Sequence, residues 1–505
     1  MSIDQVAGGQ VESSSLVRKT MVGSVWLGGS TMLLKLANIA VTAVIARIVA
    51  PAEFGVFSIA MIVFTIVSGC AELGVGSAIG RRDLKLSSIA PSVATIALGS
   101  SAILTVGMAL FATPIATALG SAQASDSVRI LSLAVMLTGV FAVPGGQLQR
   151  DFRQKAVSIA NGVSMVVGSG TMIGLAFVTS GADAFAWSRV IAQSCAGLVM
   201  IAQLDRHFAP GWNSKVVPAL LKFGLPLAAA NTLSLVIVNV DNVFVGHLLG
   251  VVALGFYSIA FNVSSWANTV LSSVLNGMVL PTISAVRAAQ GDLRQAVHQA
   301  VQLVGLVSAP ISAATSALAF PLIGSVYGAR WLEAAPVLMV LSGFGFVSVV
   351  CLLFAGVIIA GGRTSELMLV QVAACVALIP AIYFGIRWFG LVGVGYAHLA
   401  VCLAVTAPCY IVVLRRSTGV GFARIARALA WPVGAAVAAG AVGWLVSSLL
   451  EHPLTQLIVG GLSGALTYAV IVFPLGLRMY RNYTSRARSE RLDEPYLPAE
   501  EQLNA

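Results

Sequence analysis

Fourteen apolar stretches, each about 20 residues long and joined by short polar connections, leave this chain almost no choice of fold. A stretch of that length crosses the hydrocarbon core of a bilayer, about 30 Å thick, only if its backbone N–H and C=O groups bond within the segment, which makes it an α-helix. The stretches lie near 22–46, 55–79, 88–113, 128–148, 156–179, 183–204, 219–246, 255–279, 297–323, 334–360, 367–388, 390–414, 425–448 and 454–477. A charged fraction of 10%, against about 25% for a soluble domain, agrees. The expected fold is an all-α integral membrane protein of about fourteen transmembrane helices.

Charge, which was not used to draw the spans, orders them. With a cytoplasmic N-terminus, 23 of the 29 Lys and Arg residues fall in the tails or after even-numbered helices, among them Arg81, Arg82, Arg150, Arg153, Arg363, Arg415 and Arg416. Only Arg47, Arg129, Arg189, Arg330 and Arg387 fall toward the outer side, and Lys35 lies within a span. A missed helix would invert every later loop, so both the count and two cytoplasmic termini follow. The net charge of +10 is therefore topological; the cations are scattered and lack the aromatic interleaving of a nucleic-acid groove, so no nucleic acid is expected. Six cysteines sit in apolar spans without CxxC spacing and read as small hydrophobes, not as disulfides or a metal site. The first apolar segment is too long for a cleaved signal peptide and is expected to stay as an anchor.

The chain also repeats itself. ARIVAPAEFGVFSIA (46–60) returns as GHLLGVVALGFYSIA (246–260), with Gly55, Ser58, Ile59 and Ala60 recurring as Gly255, Ser258, Ile259 and Ala260. ALFATPIATALG (109–120) returns as ALAFPLIGSVYG (317–328), laying Pro114 over Pro321. Six helices per copy is an even number, so both copies enter the membrane from one side: two parallel six-helix repeats related by an axis along the membrane normal. The expected organisation is a disordered cytoplasmic N-tail (1–17), an N-terminal bundle (18–204), a cytoplasmic linker (205–218), a C-terminal bundle (219–416), an appended helix pair (417–477) and a cytoplasmic C-tail (478–505). Outer connections are short, so a membrane glycosyltransferase or polymerase, which would place catalytic residues there, lacks the loops it needs.

Polar residues inside spans are expensive and point to function. Lys35 lies about twelve residues from Arg47, roughly 18 Å deep, with Asn38 and Thr42 on its face; it reads as a cavity cation or as half of a structural ion pair. In helix 7, Asn231, Ser234, Asp241 and Asn242 share a face. Asp241 is open to three readings: binding a proton or Na⁺, neutralising Lys35 or Arg47, or a structural partner role. In helix 8, Asn262, Ser265, Thr269, Ser272 and Asn276 recur every three or four residues. Shifted by 200, these are Ile62, Thr65, Gly69, Glu72 and Gly76: the glycines read as close packing, while Glu72 requires a proton or a partner. Arg189 reads as shallow and snorkelling to the outer interface. The candidate cavity residues are Lys35, Asn38, Arg47, Asn231, Asn262 and Asn276, and the candidate coupling carboxyls are Glu72 and Asp241. No catalytic residue, metal ligand or cofactor is expected, and the coupling ion is left open between H⁺ and Na⁺.

ARIVAPAEFGVFSIA, then AELGVGSAIGRR (71–82), then NVDNVFVGHLLGVVALGFYSIA (239–260), resemble the oligosaccharide flippases of the multidrug/oligosaccharidyl-lipid/polysaccharide exporter superfamily, in the branch of lipopolysaccharide and polysaccharide biosynthesis proteins, over about residues 15–415. The resemblance implies a V-shaped pair of six-helix bundles in the inner (plasma) membrane that moves a polyprenyl-diphosphate-linked oligosaccharide to the outer leaflet: a transporter, not an enzyme. It implies cavity cations for the diphosphate, which Lys35 and Arg47 match, and membrane lipids and polysaccharide polymerases or glycosyltransferases as partners. The other readings are a cation-coupled drug or small-metabolite exporter of the same superfamily, in which Glu72 and Asp241 are essential, and a scaffold, which would not need a repeated polar stripe. On a cysteine-less background, single cysteines near Ser87 and Gly291 should be labelled from the cytoplasm, and those near Ser121 and Arg330 from outside; labelling of both sets from one side ends this topology.

Overall fold

The structure, a computed structural model, describes residues 40–71, 79, 85–274 and 292–492, and every regular element among them is helical. Among the described residues, eleven helices are long and apolar enough to cross a membrane, so the chain is a multi-pass membrane protein. After a helical stretch at 40–48 come α1 (Pro51–Ala71), α2 (Leu86–Leu110), α3 (Ala112–Ala118), α4 (Ser125–Arg150), α5 (Gln154–Leu175) and α6 (Gly181–Ala202). The rest are α7 (Val217–Val238), α8 (Val240–Leu249), α9 (Val251–Val274), α10 (Leu293–Ala317), α11 (Ala319–Val326), α12 (Ala334–Ala360), α13 (Thr364–Val401), α14 (Ala407–Thr418), α15 (Phe422–Ser448) and α16 (Pro453–Leu492). The first expected span lies largely in residues 1–39, outside the described residues.

Three spans expected to be continuous are broken, two of them for one reason. Phe111 (φ −92°, ψ 12°) separates α2 from α3, and Leu318 (φ −105°, ψ 21°) separates α10 from α11. Pro114 and Pro321 each stand third in the following short helix, where the ring excludes the carbonyl four residues earlier, on Leu110 or Ala317. The longer helix cannot run through either position. Both short helices then stop ahead of a left-handed glycine, Gly120 (φ 110°) or Gly328 (φ 99°), a conformation open to glycine at little cost. The third break is at Asn239 (φ −104°, ψ 6°), whose side-chain amide donates to the Leu235 carbonyl at 2.8 Å and so competes with the helix for that acceptor. Conversely, Ser365–Thr418 is a single apolar stretch that turns back at Gly390 (φ 59°, ψ −138°). Gly385 and Gly393, which a straight helix would set about 12 Å apart, pack backbone against backbone there.

The two repeated segments lie on each other. A methyl group on Gly55 would overlap the carbonyl of Val251, and one on Gly255 would overlap that of Pro51, so α1 and α9 cross in backbone contact. The Ser258 hydroxyl donates to the Ser58 hydroxyl at 3.0 Å. Residue 55 thus touches 251 as residue 255 touches 51, a reciprocal contact of the kind a two-fold axis makes.

At the far, cation-rich end the N-terminal helices are tied separately. Arg150 donates to the Ile79 carbonyl and Arg153 to that of Gln203, both at 2.9 Å, and Arg153 also pairs with Asp205. Residues 205–218 are strapped onto α2: Gly211 N–H donates to the Pro91 carbonyl at 3.1 Å, Thr95 to the Gly211 carbonyl at 2.8 Å, and Asn213 N–H to the Ser92 hydroxyl at 3.0 Å. The start of α7 continues that contact, with Val217 and Leu220 buried against Val93 and Val143. Higher up, Thr232 meets the Cys70 thiol at 2.9 Å, and Leu235 packs against Gly69. In packing, α7 therefore belongs with α1 and α2, and α8 with α9 and α13. The pair α15 and α16 docks on α10, where the Tyr468 hydroxyl donates to the Leu306 carbonyl at 2.8 Å and Gly443, Gly460 and Gly464 allow the pair its close approach.

Gly55→Ala should lower the thermal midpoint of the detergent-purified protein by several degrees, since overpacking costs about 1–3 kcal/mol. Gly99→Ala, with nothing within 4 Å of the added carbon, should hold or raise it through helix propensity. Equal shifts at the two positions would show that the α1–α9 contact is not tight.

Candidate functional site

The halves are sealed at the face opposite the cations. The Arg47 guanidinium donates to the carbonyls of Ser325 at 2.5 Å and Val326 at 3.4 Å, the last turn of α11, where a cation also meets the negative end of the helix dipole. The indole of Trp331, fully buried, donates to the Ala46 carbonyl at 2.7 Å. Its ring is met edge-on by one phenylalanine from each copy, Phe54 (5.6 Å) and Phe256 (6.0 Å). His247 Nδ1 lies 3.1 Å from the Ala118 carbonyl, and Gly120 packs on the Gly246 backbone. Glu53 fixes the level of α6 by accepting from the Gly181 N–H at 3.1 Å.

Just beneath this seal, inside the C-terminal half, is a buried ionisable cluster. Asp241 on α8 is 1% exposed, and its Oδ2 accepts from the Tyr257 hydroxyl of α9 at 2.5 Å and lies 3.3 Å from Nε2 of His398 on α13. Tyr257 and His398 are themselves 3.4 Å apart. Asp241 Oδ1 accepts from the Asn242 backbone and side-chain amides at 2.8 and 3.1 Å, so both carboxylate oxygens are satisfied. The Phe344 and Phe261 rings, at 4.9 and 6.4 Å, border the imidazole. Burying a carboxylate is costly unless it is paired and hydrogen-bonded; this constellation meets that condition and holds two groups that exchange protons.

Lys35, Asn38, Glu72 and Asn276 lie outside the described residues. Asn231 is exposed on α7, and Asn262 is exposed on α9, accepting from the Trp266 indole at 3.3 Å. The break at Asn239 takes Asp241 and Asn242 out of the Asn231–Ser234 stripe, which the sequence reading placed on one continuous face. Arg47 is bonded to backbone carbonyls of the seal, not to Asp241. Arg189 does not snorkel: its guanidinium lies 5.6 Å from the centroid of the Phe64 ring in the core of the N-terminal half. Tyr257 and His398 were missed; the sequence clue was a histidine eight residues beyond Gly390, deep in an apolar segment.

The profile of the family described as "Polysaccharide biosynthesis protein" matches residues 44–336, which span α1–α11 and the whole seal. The chain belongs to that family. The succinoglycan biosynthesis transport protein ExoT of Rhizobium meliloti (strain 1021) is 25% identical over 459 residues, covering 89% of this chain and 91% of its own length. The lipopolysaccharide biosynthesis protein WzxC of Escherichia coli (strain K12) is 21% identical over 415 residues, covering 80% and 83%. Among solved structures, the lipid II flippase MurJ in its inward closed conformation superposes with a TM-score of 0.72 at 13% identity, covering 90% of this chain and 100% of MurJ, which establishes a shared fold.

Tyr257→Phe removes one donor from a buried carboxylate and should destabilise the protein by about 1–3 kcal/mol, read as a lowered thermal midpoint. The double variant Tyr257→Phe, Asp241→Asn should lose less than the sum of the singles; strict additivity would mean the two side chains do not interact.

Proposed function

We propose that this protein is an alternating-access flippase that moves a polyprenyl-diphosphate-linked oligosaccharide from the inner to the outer leaflet for cell-surface polysaccharide synthesis. The observation that carries the reading is the seal at the face opposite the cations in a chain of the polysaccharide biosynthesis family: Arg47 and Ser58 of the first repeat meet Ser325, Trp331 and Ser258 of the second. With the cation-rich face cytoplasmic, the seal is a closed outer gate. The names of ExoT, a transport protein, and MurJ, a lipid II flippase, support transport of a lipid-linked glycan over sugar transfer.

The physics of the cargo fits this arrangement. A diphosphate joined to a sugar does not cross about 30 Å of hydrocarbon unaided, whereas a polar interior open sideways lets the head group pass while the prenyl tail stays in lipid. Arg47, Asn231 and Asn262, with Lys35, Asn38 and Asn276, are the proposed cavity set. No bond is broken, so no cofactor is needed. Coupling is assigned to carboxyls: Asp241 sits behind the outer gate with His398, and Glu72 is its proposed counterpart in the other half. The same pair favours the second reading, a cation-coupled exporter of drugs or small metabolites.

Two measurements separate these readings. Depletion should make cells accumulate a lipid-linked oligosaccharide on the cytoplasmic side, detected by mass spectrometry, and wild-type protein should clear it; an unchanged lipid-linked pool would defeat the flippase reading. In vesicles, Asp241→Asn or Glu72→Gln should bind substrate yet lose the dependence of transport on an imposed pH or Na⁺ gradient. Dependence retained in both variants would leave the carboxyls as structural partners.

A further inference from the structure

Among the described residues, Arg189 is the one cation more than two turns from either end of its membrane span that makes no hydrogen bond or ion pair. Its depth follows from the helix register. Glu53 and Gly181 are level because they are bonded, so Arg189, eight residues along α6, lies about 12 Å below the outer gate; Phe64, eleven residues past Glu53, lies about 16 Å below it. A snorkelling arginine carries its charge up to the interface. This one holds its charge against a ring that is 5% exposed.

The direction it faces is also fixed. Trp187 and Leu198 are the exposed large apolar residues of α6 and lie within about 20° of each other around the helix, whereas Arg189 projects about 160–200° away from both. That far side meets α1 and α4: Phe185 packs on Phe54 and Phe57, and the Gln193 amide donates to the Ala134 carbonyl at 3.2 Å and the Thr138 hydroxyl at 3.1 Å. Arg189 is nevertheless accessible, on the side of α6 away from Trp187 and Leu198. One turn toward the cytoplasmic face, on the same side of the helix, the Gln193 Oε1 is buried with no hydrogen-bond partner.

We propose that Arg189 is the diphosphate-recognising residue of the N-terminal half. The guanidinium lies over the Phe64 ring, and its donor fork, unpaired among the described residues, is suited to bidentate bonds to phosphate oxygens. This assignment rests on the flippase reading and narrows it: the head group is gripped through phosphate in one half, well below the outer gate.

The test uses the full chain in detergent with farnesyl diphosphate as a water-soluble probe, and farnesol and a short-chain phosphatidylglycerol as controls. Arg189→Gln should weaken farnesyl diphosphate binding by about ten- to a hundred-fold, the worth of a charged hydrogen bond, with Arg189→Lys intermediate and farnesol binding unchanged. In wild-type protein, which requires no variant to fold, phenylglyoxal should modify Arg189, and farnesyl diphosphate, but not farnesol, should protect it, as read by peptide mass spectrometry. Unweakened binding in a folded Arg189→Gln variant, absence of modification or protection, or equal protection by phosphatidylglycerol each overturns the assignment. Wild-type protein that binds no prenyl diphosphate at all sinks the flippase reading itself.

Discussion

The architecture depends on backbone touching backbone where α1 crosses α9. In lipid, helices gain little from hydrophobic burial against each other, since acyl chains are as apolar as leucine; association comes from close packing and from hydrogen bonds. Gly55 and Gly255 supply the first, and Ser58 with Ser258 supply the second. Because the contact is reciprocal, one small-residue pattern written twice makes both sides of it. Trp331 and Arg47 then close the same face with groups that bond backbone carbonyls, requiring no acidic partner in the membrane.

With the outer face closed in that way, the rest of the polar chemistry divides between the halves. In the C-terminal half, Asp241, Tyr257 and His398 are drawn from three helices and shut away from solvent. In the N-terminal half, Arg189 stays accessible on the side of α6 that faces Phe64. One half thus carries a closed cluster of carboxylate, phenol and imidazole, the other an accessible guanidinium.

Much of the fold was legible because the bilayer permits few alternatives. Apolar length marked an all-helical membrane chain, and the recurring glycine and serine positions marked segments that meet. The breaks at Phe111 and Leu318 were also written in the sequence, as a proline three residues into each landmark, but runs of hydropathy do not register a missing N–H. The break at Asn239 was not legible, because one asparagine in an apolar run signals a kink only when its side chain takes a backbone acceptor. The site was read least well. Asp241 stands 16 residues from Tyr257 and 157 from His398, and no periodicity links positions brought together by the turn at Gly390. Arg189 was misjudged because distance along a helix was read without direction around it: Trp187 and Leu198 already marked the lipid side.

The side on which α7 packs has a mechanical consequence. α7 is held to the N-terminal helices from Val217 to Leu235, α8 is held to α9 and α13, and the two are joined only through Asn239. Any rotation of one half against the other that preserves those contacts has to be absorbed as torsion at that joint. Asp241 is two residues away but moves with α9 and α13, so a twist at Asn239 leaves its bonds to Tyr257 and His398 intact. The proton-exchanging cluster is thereby carried whole on one side of the joint, and the joint itself needs only one residue to turn.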